Sequence, residues 1–194
     1  MKHLICILAV LSFPLVTLSQ AQEKPLVGIF YYSKGGHTKS MAEAIKRGAS
    51  SVDSVEVLLL SVDQAQKDDV LKADAIIVGS PVYNANIAPP VQQFINNWPF
   101  VGSPLKDKIG AAFVSAGGIS AGEELVQMNI LQAMLINGMV IVGGPDWQGA
   151  FGASAVTEEE PFKADSTANQ VNPYFLKKGE NLGKRVAELV KRLK

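Results

Sequence analysis

The chain predicts an α/β domain: a doubly wound, five-stranded parallel sheet of order 2-1-3-4-5 with helices on both faces. Three observations carry this. Short apolar runs recur without the polar alternation of a half-exposed sheet, as expected of strands buried on both faces. Segments of helical period lie between them. Glycine- and hydroxyl-rich loops follow three of the runs, where open α/β sheets bind their ligands.

The first run, Leu26–Tyr32, is β-branched and aromatic and reads as a strand. Ser33-Lys34-Gly35-Gly36-His37-Thr38 follows as a turn. Lys39–Ala49 then sets Met41, Ala42, Ala44, Ile45 and Ala49 at helical spacing. Val55–Leu60 is the second strand, and Gln64–Lys72 a short polar helix. Ala75–Gly79 is the third strand. Pro90–Asn97 is a helix with proline at its start. Ile109–Ser115 is the fourth strand. Ala121–Asn137 is a long helix with Glu123 and Glu124 in its first turn, where they complement the dipole. Gly138 stops it, and Met139–Val142 is the fifth strand. Gly144–Gln170 reads as irregular, long enough to carry function or cover an interface. Tyr174–Leu193 closes the chain as an amphipathic helix.

The N-terminus is set apart. Met1-Lys2-His3 is a short basic start, Leu4–Leu18 is apolar, and Ser19-Gln20-Ala21 fits a small-x-small cleavage site. This is the layout of a secretory signal peptide over residues 1–21, giving a mature start at Gln22 and an exported, periplasmic protein. An uncleaved anchor is the alternative, although the run is short for a span of about 20 apolar residues. Residues 22–194 then form one domain, large enough for a single core. Cys6 lies inside the leader, so the mature chain has no thiol for a disulfide, a nucleophile or a thiolate–metal site. Formal net charge is zero, and no basic stripe suggests nucleic acid. With one mature histidine and no cysteine, no zinc site is expected. The run Glu158-Glu159-Glu160 reads as solvated.

The loop Ser33–Thr38 is neither a Walker cradle nor a G-x-G-x-x-G fingerprint. Its hydroxyls, glycines and following helix N-terminus suit a terminal phosphate monoester held largely without side-chain cations. A plain helix start is the competing reading. His37 would act on the phosphate side or stand as an exposed loop residue. The third strand leads into Gly79–Asn86 and the fourth into Ser115–Gly122. In the expected strand order the three loops converge on one crevice, which suits a planar heterocycle. Tyr83 can stack on a ring, and Asn84 and Asn86 can pair with its edge. Gly117 and Gly118 admit close backbone approach. Taken singly, Tyr83 reads equally as a loop aromatic, and the asparagines as turn formers.

The segments YYSKGGHTKSMAEAI, VGSPVYNANIAPPVQQFI, FVSAGGISAGEE and NGMVIVG resemble the flavodoxin-like flavoproteins. Among these the match is to the WrbA (tryptophan-repressor-binding-protein) type of NAD(P)H:quinone oxidoreductase, over roughly Pro25 to Leu193. The resemblance implies non-covalently bound FMN and hydride transfer from NAD(P)H to a quinone in two-electron steps. It places Ser33, Gly35, Gly36, His37 and Thr38 at the FMN phosphate. Pro81, Val82, Tyr83, Asn84 and Asn86 would contact the isoalloxazine ring, and Ser115, Ala116, Gly117, Gly118 and Gly122 would line its other edge. Trp147–Ala153 is similar to the family's glycine-aromatic loop near a neighbouring subunit's flavin, which implies a homo-oligomer. Two departures are visible. Val82–Asn86 replaces the family's Arg-aromatic-Gly-Asn run, and Asn137 replaces a histidine that reaches the flavin site. The flavin would carry the chemistry, so no catalytic side chain is expected. Export sits awkwardly with NAD(P)H as donor. An exported flavodoxin-like electron carrier and a flavin-free binding module of the same fold are therefore the alternatives.

Overall fold

The computed structural model describes residues 23–163 and 171–194. The leader, residues 1–21, lies outside the described residues. Five strands run parallel in the expected order: β2 (Glu56–Ser61), β1 (Leu26–Tyr31), β3 (Ala75–Tyr83), β5 (Ile109–Ala116) and β6 (Val140–Ile141). The helices are α1 (His37–Ser50), α2 (Lys67–Lys72), α3 (Pro89–Asn96), α4 (Glu123–Ile136) and α5 (Pro173–Leu193). Strand β1 pairs with β2 and β3, and β3 with β5, so β1, β3 and β5 are adjacent.

Side-chain alternation divides the core in two. Val27, Ile29, Ile77, Ala111 and Phe113 face α1 and α5, where Met41, Ile45, Leu182 and Val186 cover them. Phe30, Ile76, Val78, Ala112 and Val114 face the other way, against Val91 and Phe94 of α3 and Val126, Ile130 and Met134 of α4. Each large aliphatic group buried this way contributes roughly 1.5–3 kcal/mol. Helices α1 and α5 touch backbone to backbone. A Cβ on Gly48 would lie 1.9 Å from the Glu180 carbonyl oxygen, and one on Gly183 would lie 2.0 Å from the Ile45 carbonyl oxygen. No larger residue fits this crossing without separating the helices.

The structure corrects the expected elements in three places. Strand β3 does not end at Gly79. Ser80 and Pro81 still pair with Val114 and Ser115 of β5. Val82 and Tyr83 then pair antiparallel with β4 (Asn86–Ile87), where the sequence predicts loop through Asn86. Asn84 and Ala85 both have positive φ, 50° and 59°. A two-residue hairpin turn needs this geometry to match strand twist. Second, the fifth sheet position is split. Strand β6 covers the start of β5, and β7 (Ala153–Val156), from the stretch read as irregular, covers its end. The intervening turn is closed by the Gly144 N–H, which donates to the Gly149 carbonyl at 2.6 Å. The tail of that stretch, 164–170, lies outside the described residues. Third, α1 begins two residues earlier than its apolar spacing suggests, which brings His37 and Thr38 into its first turn.

Gly183→Ala is expected to lower unfolding free energy by about 1–3 kcal/mol, the usual range for overpacking a filled contact. Urea denaturation followed by circular dichroism measures it. An unchanged midpoint would mean that α1 and α5 do not cross this closely.

Candidate functional site

At the carboxyl end of β1, the Tyr32 N–H donates to the Gly79 carbonyl at 3.2 Å and keeps the chain against β3 for one more residue. The loop then closes on itself: the Gly36 N–H donates to Ser33 Oγ at 3.0 Å. Gly36 is the residue at which α1 starts, with φ 94°, and no side chain caps the helix there. The amides of an uncapped first turn lack intrahelical partners and carry the positive end of the dipole.

Thr38, in that first turn, is 1% exposed, and Ser115, near the end of β5, is 5% exposed. Their hydroxyls meet at 2.7 Å. One hydrogen bond therefore ties the N-terminus of α1 to the fourth parallel strand, across the point where the winding direction of the sheet reverses. Between them, Ser80 is fully buried and donates to its neighbour Pro81 carbonyl at 2.7 Å. It accepts the Ala88 N–H at 3.0 Å, which fixes the start of α3.

Beyond Ser115 the loop is held by the continuation of β7. Thr157 donates through both its N–H and Oγ1 to the Ala116 carbonyl, each at 3.0 Å. The Glu158 N–H donates to the Gly117 carbonyl at 2.9 Å. Glu159 Oε2 accepts the Ile119 N–H at 2.7 Å. The acidic run is exposed, as expected, but not idle: its first two members fasten the third loop.

These loops enclose a cavity of about 460 Å³ at the carboxyl ends of β1, β3 and β5. Ten of the residues expected at the site line it: Ser33, Gly35, His37, Thr38, Pro81, Val82, Tyr83, Ser115, Ala116 and Gly117. Five do not. Gly36 forms the turn beneath. Asn84 and Asn86 build the hairpin, with Asn86 Nδ2 donating to the Asn84 carbonyl at 2.7 Å. Gly118 lies behind the wall, where a Cβ would come within 2.7 Å of Glu159 Oε2. Gly122, at φ 104°, lets the third loop meet the hairpin, and a Cβ there would lie 2.6 Å from Ala85 Cβ. The sequence reading missed Lys34, Thr157 and Glu158, all of which line the cavity. Lys34 belongs to the first loop, two residues before Gly36 at the start of α1. Thr157 and Glu158 gave no local signal, because they arrive by strand pairing from far along the chain. Another recess, of about 590 Å³, lies beside Ser40, Arg47 and Leu176.

Tyr83 is 38% exposed at the cavity's edge. Partial burial, and next the neighbouring Tyr32, hold its phenol above the ordinary tyrosine value. It is neutral at physiological pH and offers a ring face and a hydroxyl.

Sheet order, crevice and loop chemistry together define a flavodoxin-like protein with a site for a phosphorylated cofactor. The model of the NADPH-dependent FMN reductase family matches residues 26–153, and the chain belongs to that family. It is 31% identical over 167 residues to an NAD(P)H dehydrogenase (quinone) from Geotalea daltonii, covering 72% of this chain and 82% of that one. It is 35% identical over 126 residues to a flavodoxin from Aquifex aeolicus, covering 62% of this chain and 66% of that one, just under two thirds. A WrbA-like flavodoxin structure from Agrobacterium tumefaciens superposes with a TM-score of 0.71 at 21% identity, over 88% of this chain and 99% of that one. The cofactor of such a flavoprotein is FMN, and the donor set fits it. Hydroxyls, an uncapped helix start and Lys34 suit the phosphate, while Tyr83 and Val82 suit an apolar ring.

Thr38→Val is expected to destabilise the fold by about 1–3 kcal/mol, because Ser115 would keep a buried hydroxyl without its partner. Thr38→Ser should retain most of the stability. Thermal unfolding of both variants tests this, and equal losses would show that the Thr38 methyl matters rather than the hydroxyl pair.

Proposed function

We propose that the protein is an FMN-dependent oxidoreductase that takes reducing equivalents from NAD(P)H and passes them in pairs to quinone-type acceptors. The observation that carries this reading is the single cavity shared by an uncapped helix start, the Thr38–Ser115 hydroxyl pair and the Tyr83 ring. Its family and its quinone-reducing relative support it.

FMN supplies the hydride and electron chemistry when bound. The chain's own residues bind, orient and shield. Ser33, Thr38 and the first-turn amides of α1 would hold the phosphate. Hydroxyl and amide donors can do so with little rearrangement, because the Gly36–Ser33 and Thr38–Ser115 bonds already fix them. Lys34 adds charge at the same end. Tyr83, on the rigid β3–β4 hairpin, would cover one face of the ring and exclude water from it.

An electron-carrier reading is also supported, because two flavodoxins are among the relatives. It accommodates the proposed export, since a carrier takes electrons from a docked protein rather than from NAD(P)H. N-terminal sequencing of the secreted protein tests the export proposal and should begin at Gln22.

Steady-state oxidation of NAD(P)H in the presence of FMN and a soluble quinone separates the two readings. The enzyme reading expects turnover well above that of free FMN, and Tyr83→Ala should lower kcat/KM by about tenfold, the loss of one aromatic contact. Turnover no faster than free FMN, with FMN demonstrably bound, would contradict the enzyme reading and favour the carrier.

A further inference from the structure

The candidate cavity is lined by two opposite charges that have no ion-pair partner among the described residues. Lys34 sits on the first loop and Glu158 on the segment that follows β7, and both line the cavity. Neither side chain forms an ion pair or a hydrogen bond among the described residues. Glu159, by contrast, is committed to the Ile119 N–H. Glu158 is held in place by its own backbone, whose N–H donates to the Gly117 carbonyl. Its carboxylate bends back over that glycine: a Cβ on Gly117 would lie 3.3 Å from Oε2. The carboxylate therefore stands beside Gly117, two residues beyond Ser115 in the chain.

A carboxylate in this place repels a phosphate and accepts hydrogen bonds from O–H and N–H groups. The cavity is thus polar in a defined sense, with donors and a cation at the α1 end and an acceptor anion at the Gly117 end. A ligand that is anionic at one end and rich in hydroxyl or N–H donors along the rest meets both demands. We propose that Glu158 is a specificity-determining residue of the cofactor site, accepting hydrogen bonds from the part of the flavin nucleotide remote from its phosphate. The proposal rests on the FMN reading above. Two consequences follow. Glu158 discriminates by the body of the cofactor rather than by its phosphate. Its negative charge, close to the ring, also opposes the charge gained on reduction and holds the midpoint potential of the bound flavin down.

The test titrates the full chain, as wild type, Glu158→Gln, Glu158→Asp and Lys34→Met, with FMN and with riboflavin, following flavin fluorescence. Midpoint potentials of the bound flavin are measured alongside. Glu158→Gln should weaken FMN and riboflavin by the same factor, about tenfold, as for loss of a charge-assisted hydrogen bond. It should also move the potential upward. Glu158→Asp should weaken both but leave the potential low. Lys34→Met should weaken FMN and leave riboflavin unchanged. Tighter FMN binding by Glu158→Gln with riboflavin unaffected would place the carboxylate at the phosphate and overturn the proposal. Unchanged affinities and potential would overturn it in favour of a solvated rim carboxylate. If wild type binds neither flavin, the FMN reading fails and this proposal fails with it. Wild-type binding with an inert Glu158 overturns this proposal alone.

Discussion

A hydrogen bond between two buried hydroxyls, Thr38 on the first helix and Ser115 on the fourth parallel strand, sets the spacing on which the site depends. It joins residues 77 positions apart at the place where the sheet changes its winding direction. With this bond made, the first turn of α1 stands at a fixed height over the ends of β1, β3 and β5. Its first-turn amides, which no side chain caps, lie at that end of the sheet. Both residues are almost wholly buried, Thr38 at 1% and Ser115 at 5% exposed. A buried hydroxyl without a partner costs about 1–3 kcal/mol, so the two groups hold each other.

The rest of the molecule supports that placement from both sides. Below, α1 is pressed onto α5 through Gly48 and Gly183, so the helix cannot tilt without lifting its neighbour. Above, β3 runs past the end of the parallel sheet and folds back as a hairpin, which gives Tyr83 a strand to stand on instead of a loose loop. Beside it, the continuation of β7 fastens the third loop through Thr157, Glu158 and Glu159. Three loops that would each be mobile alone are therefore each tied to an element with its own core contacts. A site assembled in this way is set before the ligand arrives, which lowers the cost of binding.

Much of this was legible in the sequence, and the rest was hidden for physical reasons. The strands Leu26–Tyr31 and Ile109–Ala116 stood out because a strand buried on both faces must be apolar without interruption. The first loop stood out because glycines and hydroxyls gather between an apolar strand and a helix start, a pattern that suits a phosphate as well as a plain cap. Strand β7 did not. Ala-Ser-Ala-Val is too short and small to announce a strand, and it becomes one only because the end of β5 offers an unpaired edge. Asn84 and Asn86 read equally as ring contacts and as turn formers, because asparagine serves both purposes, and the backbone angles at Asn84 and Ala85 show the turn. Glu158 is exposed, as a run of acids suggests, but its place beside Gly117 was hidden, because the two lie 41 residues apart in the chain, a distance that local pattern does not bridge.

The claim at the centre of this account is that the cavity over Thr38 and Ser115 receives the phosphate of FMN. Phosphorus NMR of FMN added to the protein addresses it directly. Held by the α1 amides and hydroxyls, the phosphate should stay a dianion, so its resonance should shift on binding. It should then stop following pH through its second ionisation, which lies near pH 6 for a free monoester. A resonance that continues to titrate as in free FMN, while the flavin ring shows clear binding, would contradict the account and place the phosphate in solvent.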